Sequence, residues 1–186
     1  MRGTLRRMYP FIRMAKELWL AGRQPPLPFD GTHISHHRCW PWDLDFWMEL
    51  NNGRTLTLYD LGRIPLARRA GLIPVLRRNR WGLTIAGSVV RYRRRITAFQ
   101  RFEMHSRLIG WDHRFIYIEQ SMWRGETCCG QAVFRSAVTG KAGIVPPVEV
   151  MEELGLADHP GKALPDWVQA WIAAEDQRPW PPERSA

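Results

Sequence analysis

Lysine is nearly missing from this chain. Of 27 basic residues in 186, 24 are arginine, and 18 acidic residues leave a net charge of +9. Cysteine is scarce as well. Cys39, Cys128 and Cys129 make an odd count with one adjacent pair. That pattern supports neither a disulfide framework nor a zinc-binding CxxC pair, and it suits a reducing compartment. Long apolar runs are also lacking, so no segment reads as a bilayer span. With 45% apolar and 24% charged residues, the composition is close to the globular average and excludes wholesale disorder. A chain this long fits one ordinary domain with additions and can bury roughly 70% of its unfolded surface.

What is abundant is arginine and tryptophan. A +9 surface attracts phosphate-bearing partners such as nucleic acid, anionic lipid or phosphorylated cofactors. Arginine chelates phosphate oxygens in a planar fork. Ten tryptophans add amphipathic area suited to a core or an apolar ligand.

Three regions are expected: a basic amphipathic arm and linker over residues 1–28, a main domain over 29–142, and a helical extension over 143–186. In the arm, Leu5, Met8, Ile12, Ala15 and Trp19 recur at helical steps among Arg2, Arg6, Arg7, Arg13 and Lys16, with Pro10 marking a helix start. Two readings stand: a membrane-surface helix through residues 1–20, or a helix packed on its own domain or on a dimer partner. Charges interrupting the apolar segment exclude a secretory signal. Gln24 to Pro28 reads as a linker.

Thr32–Trp40 suits a strand. His36 and His37 would point to opposite faces, which favours exposed or edge histidines over a metal site. Asn51–Gly71 reads as a long helix, apolar nearly all round, capped by Asn51 or Asn52 and ended by Gly71, with a kink or break expected at Pro65. From Gly82 the period becomes two. Gly82–Phe99, Arg101–Trp111, Arg114–Arg124 and Thr127–Thr139 read as strands in a meander of hairpins. A loop over Gly140–Pro147 and short helices at Val148–Leu154 and Pro165–Ala174 follow. The plan is α+β, a sheet wrapped on one helix.

The densest chemistry lies just ahead of that helix. Asp43, Asp45 and Glu49 sit among Trp40, Trp42, Phe46 and Trp47, rings that would strip hydration from a carboxylate and raise its pKa. The helix start offers free N–H groups and the positive end of the macrodipole, which polarise a carbonyl or hold an oxyanion. A base beside such a site is the minimum for acyl transfer to water. The plainer reading gives Asp43 and Asp45 a turn to shape and Asn51 a helix to cap.

The pattern Asp43-x-Asp45-x-x-x-Glu49-x-Asn51-Asn52, with Asp60 and Arg63 following, resembles the signature of hotdog-fold acyl-CoA thioesterases, in the branch similar to 4-hydroxybenzoyl-CoA thioesterase. Val89 to Ile96, Phe115 to Gln120 and Trp123 to Glu126 resemble that family's later strands. The likeness runs over about residues 35–140. It departs at Glu49, where the family usually has His, at Thr55 in place of Tyr, and at Arg95 in place of a frequent Pro.

The resemblance implies a hotdog fold with a long central helix wrapped by an antiparallel sheet, a homodimer or dimer of dimers, and hydrolysis of an acyl-CoA thioester. Asp45 matches the catalytic carboxylate, acting as general base or nucleophile. The amide near Asn52 matches the group that polarises the carbonyl, and Glu49 joins them. Asn51, Asp60, Arg63, Arg91 and Arg93 are the candidate substrate-binding residues. No metal and no separate cofactor are expected, coenzyme A being part of the substrate. The setting is cytoplasmic, or peripheral to a membrane through residues 1–20. The alternative is a hotdog protein that binds an acyl-CoA or acyl chain without cleaving it, which Glu49 in place of His keeps open.

Arg91, Arg93 and Arg95 would share one strand face and Arg94 the other, which splits the basic run and argues against a nucleic-acid footprint. Solvated surface or CoA-phosphate partners are the readings left for these arginines. Cys128 and Cys129 read as small packing residues rather than nucleophiles.

Overall fold

In the computed structural model, which describes residues 9–159 and 163–184, one helix lies in the curl of an antiparallel sheet. Helix α1 spans Phe11–Ala21 and strand β1 spans Thr32–Arg38. A 3-10 turn at Pro41–Asp43 leads to α2, Asn52–Arg69, and α3, Leu72–Asn79. Then come β2 (Gly82–Tyr92), β3 (Arg101–Trp111), β4 (Ile116–Arg124), β5 (Thr127–Gly140) and β6 (Gly143–Val145). Helices α4 (Pro147–Glu153) and α5 (Asp166–Gln177) follow. The sheet order is β1-β3-β4-β5-β2, with β6 on β5. This is the α+β hotdog arrangement that the sequence implies.

Helix α2 forms where the apolar pattern surrounds the chain. Leu58, Tyr59 and Leu61 are fully buried, and Leu66 and Ala67 nearly so. Asn51 caps it, its Oδ1 accepting the Arg54 N–H at 3.0 Å. No break occurs at Pro65, which is itself buried; packing on the sheet outweighs local propensity. Gly62 allows the close approach. A Cβ there would stand 2.6 Å from the Met104 Sδ and 2.9 Å from the Gln120 Nε2, and would collide with the Ser106 hydroxyl. Gln120 in turn donates to the Tyr59 carbonyl at 2.9 Å and to the Ser106 Oγ at 2.8 Å.

Several expectations are corrected. β2 does not hairpin with β3. It lies at the far edge against β5, because residues 93–100 form a crossing connection, anchored by the buried Ile96, rather than a tight turn. The strand expected to reach Phe99 stops at Tyr92. There the Arg93 and Arg94 amides both donate to the Cys129 carbonyl, at 2.9 and 3.0 Å, and turn the chain off the sheet. Helix α3 and strand β6 were not foreseen.

The arm is docked on its own domain. Tyr9 donates to the Asp60 Oδ2 at 3.0 Å, and Met14, Glu17 and Ala21 are buried. Pro10 stands at the N-cap, as its position suggested. Leu5, Met8, Arg2, Arg6 and Arg7 lie outside the described residues. His33 and His37, expected to be exposed, are buried, His37 beneath the docked arm and His33 beside Arg69 of α2, whose Nη1 is 3.1 Å from its Nδ1, whereas His36 is exposed. The Ser35 Oγ lies 2.8 Å from the His37 Nε2, with the Glu17 carboxylate 3.9 Å from the other ring nitrogen. Among the described residues no helix is long and apolar enough to cross a membrane.

Candidate active site

The three carboxylates ahead of α2 have separate fates. Asp43 is fully buried and structural. Its Oδ2 is 2.7 Å from the Arg13 Nη1, its Oδ1 is 2.7 Å from the Arg54 Nε, and the Trp40 amide donates to it at 3.1 Å. Asp45 starts a small hairpin closed by a Leu44–Leu50 bridge. Its Oδ1 accepts the amides of Trp47 at 2.9 Å and Glu49 at 3.4 Å; its Oδ2 has no partner among the described residues. Glu49 is 2.8 Å from the Arg95 Nε. Each carboxylate therefore has partners of its own.

Phe46, Trp47 and Met48 form the hairpin's tip and are 82%, 69% and 64% exposed. Met48 adopts a left-handed φ of 61° to make the turn. The rings expected to desolvate the carboxylates thus point mainly into solvent, and so does Trp42, although it stacks on the half-buried Trp40.

Directly after the hairpin, a cleft of about 230 Å³ opens at the start of α2. Its walls include Glu49, Asn52, Thr55, Tyr59, Tyr92 and Met122, with Arg93, Arg94 and Arg95 beside them. Asn52, Thr55 and Tyr59 follow one another at three- and four-residue steps, so one helix face lines the cleft. Helix starts leave four N–H groups without intrahelical acceptors. Here the Arg54 amide goes to the Asn51 side chain and the Thr55 amide to the Asn51 carbonyl. Those of Asn52 and Gly53 have no acceptor among the described residues. The Thr55 hydroxyl is spent on the Asn51 carbonyl at 3.0 Å.

Of the site residues expected from sequence, Glu49, Asn52 and Arg93 line this cleft. Asp45 lies one short loop away. Asn51 caps the helix. Asp60 and Arg63 pair with each other, with Arg63 stacked 4.6 Å above the Phe134 ring and Asp60 holding Tyr9, so within this chain they brace α2 outside the cleft. Arg91 faces a different depression near Trp167. Arg93 does not share a face with Arg91; once β2 ends it joins Arg94 and Arg95 at the cleft. Tyr59, Tyr92, Arg94 and Ile96 were missed. The helical spacing from Asn52 was the available signal for Tyr59.

Tyr59 is fully buried and its hydroxyl has no hydrogen-bond partner among the described residues. Burial, followed by the nearby Tyr92 and the two adjacent cysteines, pushes its pKa well up. An unpaired buried hydroxyl costs about 1–3 kcal/mol. Cys128 and Cys129 each direct Sγ at a backbone carbonyl 3.7 Å away, and burial raises the Cys128 pKa, which opposes a nucleophilic thiolate. Among the described residues no three His, Cys, Asp or Glu side chains converge as metal ligands.

Fold and site together define a hotdog domain with a helix-start cleft. A family model described as the thioesterase-like superfamily matches residues 39–172, and the chain belongs to that superfamily. Among relatives, it is 28% identical over 138 residues to Protein THEM6 of Xenopus laevis, covering 73% of this chain and 65% of that one. It is 31% identical over 107 residues to Protein THEM6 of Danio rerio, covering 55% and 53%. The chain thus spans less than two thirds of the length of these relatives. Solved structures share the fold. A 1,4-dihydroxy-2-naphthoyl-CoA thioesterase from Synechocystis superposes with TM-score 0.57 at 10% identity, covering 70% of this chain and all of that one. A DHNA-CoA thioesterase from Staphylococcus aureus gives 0.59 at 6% identity, covering 80% and 96%.

Proposed function

We propose that this chain hydrolyses acyl-CoA thioesters at the cleft ahead of α2. The observation that carries the reading is the start of α2, where the Asn52 and Gly53 amides have no acceptor among the described residues and Asn52 lines a cleft beside the carboxylate-bearing hairpin. The thioester carbonyl would accept from those amides, which stabilise the negative charge that develops on its oxygen. Asp45 would act as general base or nucleophile. One of its oxygens is fixed by two amides and the other has no partner among the described residues, whereas the Glu49 carboxylate is committed to Arg95. Arg93, Arg94 and Arg95 supply phosphate-pairing charge for the coenzyme A portion. At about 230 Å³ the cleft accommodates the acyl end rather than a whole acyl-CoA.

A second copy of the chain fits this reading. The exposed Phe46-Trp47-Met48 tip is an apolar projection adjoining Asp45, and burying it against another subunit would enclose the carboxylate and complete the cleft. A homodimer or dimer of dimers is therefore part of the proposal. The exposed Phe11, Ile12 and Trp19 of α1, with Lys16 beside them, are the face available for peripheral membrane contact; liposome flotation with and without Ile12→Ser reads it. The Glu49–Arg95 pair at the cleft favours a second reading, acyl-CoA binding without cleavage. A panel of acyl-CoAs with free-thiol detection separates the two. Thiol release supports hydrolysis, and saturable binding without release supports the alternative.

A further inference from the structure

Three of the four tyrosines have an acceptor for their hydroxyl. Tyr9 donates to Asp60, Tyr117 to the Asp112 Oδ2 at 2.6 Å, and Tyr92 to the Asn52 carbonyl at 3.4 Å. Tyr59 is the exception. It has no exposed surface, its ring is held edge-on by Phe134 at 5.4 Å between centroids, and its oxygen has no partner among the described residues. It also lines the cleft.

Among the described residues no side chain or backbone group pairs with that hydroxyl, although Tyr92, Cys128 and Cys129 lie near it. Leu50, Ile96 and Met122 are apolar, the Cys129 thiol points to the Thr127 carbonyl, and Thr55 is engaged by its own helix. Gly130 leaves room beside it, since a Cβ at that position would stand 3.9 Å from the hydroxyl oxygen. A side chain on α2 leans toward the helix N-terminus, which directs the Tyr59 hydroxyl back toward the cleft rather than away from it. Burial keeps the phenol protonated, so its O–H is available to donate.

We propose that the Tyr59 hydroxyl is a specificity determinant, donating a hydrogen bond to an oxygen carried by the acyl group itself, so that the cleft selects oxygen-bearing acyl groups over plain hydrocarbon ones. The inference rests on the thioesterase reading above and names its substrate class. The division of labour follows from position. The Asn52 and Gly53 amides at the helix start serve the thioester carbonyl, which every substrate has. Tyr59, two turns along the same helix, meets what differs between substrates. A site built to hydrogen-bond a substrate oxygen discriminates strongly against the analogue that lacks it, because its own donor is then left buried and unpaired.

The test uses the full chain and matched pairs of acyl-CoAs of equal length, one unsubstituted and one carrying an acceptor-only keto or methoxy oxygen at successive positions. The readout is the ratio of kcat/KM within each pair. The wild type should favour the oxygen-bearing member by about tenfold or more at one position, and Tyr59→Phe should bring that ratio to within about twofold of one. Thermal melting confirms that the variant is folded. A wild-type ratio near one at every position, or a ratio unchanged in Tyr59→Phe because both members lose rate together, overturns the proposal. If no acyl-CoA is hydrolysed, the hydrolysis reading falls by itself. The same pairs are then read by equilibrium dissociation constants: a tenfold preference lost in Tyr59→Phe upholds the role of Tyr59, and equal affinities overturn it.

Discussion

The Arg13 Nη1 of helix α1 lies 2.7 Å from the Oδ2 of Asp43, a carboxylate with no solvent exposure. Arg54 holds the other oxygen. The arm, the turn ahead of the cleft and the first turn of α2 are thus tied at one buried charge. Removing one partner of such a pair leaves an uncompensated charge, at a cost of about 3–5 kcal/mol. Arg13→Ala should therefore destabilise the protein by an amount of that order, reduced toward its lower end by the remaining Arg54 contact. Urea denaturation midpoints measure it. A loss below about 1 kcal/mol would show that the arm does not hold the turn.

The second stability prediction concerns the contact of helix on sheet. Gly62→Ala places a methyl group against Ser106, Met104 and Gln120. All three are fully buried, so none can swing aside. Overpacking of this kind costs about 1–3 kcal/mol, against a helix-propensity gain of about 1 kcal/mol from replacing glycine. The variant should melt below the wild type; a raised melting temperature would contradict the close packing of α2 on β3 and β4.

Acid sensitivity follows from the two buried histidines of β1, His33 and His37. Burial first and Arg69 second hold His33 down to about 4; burial first, then Arg13 and Lys16, hold His37 down to about 3. In the unfolded chain both titrate near 6.5. Between these values the unfolded state binds more protons, so stability rises with pH there. The contribution is complete above about pH 6.5 and is lost as pH falls toward the folded values. From pH 7.5 to 5 the loss should be about 2 kcal/mol per ring. Urea titrations at the two pH values measure it, and His33→Asn should remove about half of the difference. A pH-independent midpoint over that range would show both rings to be solvated.

The unequal legibility of the sequence has a physical pattern. Helix α2 and strands β3, β4 and β5 were readable because their side-chain periods are imposed by burial on one or more faces. The crossing of β2 to the far edge was not readable, since two strands flanking residues 93–100 look alike whether the connection turns back or crosses. The environment of His37 depended on where α1 docks, and that of His33 on Arg69 at the far end of α2, long-range contacts that no local period encodes. At the site, Asn51, Asn52 and the carboxylates were visible as a motif. That Asp43 would be buried between two arginines, and that Glu49 would pair with Arg95, required the turn and the end of β2 to meet in space.

Association is expected to run through the hairpin tip. Replacing Phe46 and Trp47 together by serine removes two rings that are 82% and 69% exposed while sparing the backbone bonds to Asp45. Sedimentation velocity should show a dimer or larger assembly for the wild type and a shift toward monomer for the double variant. An unshifted assembly would place the interface elsewhere.

The most direct test of the account is turnover of an acyl-CoA panel by the wild type, Asp45→Asn and Glu49→Gln, followed by free-thiol release. Loss of a positioned base costs about 10²–10⁴ in rate. Asp45→Asn should fall at least a hundredfold below wild type, with Glu49→Gln retaining more activity than Asp45→Asn. Wild-type thiol release that Asp45→Asn leaves unchanged would remove Asp45 from the chemistry and contradict the mechanism.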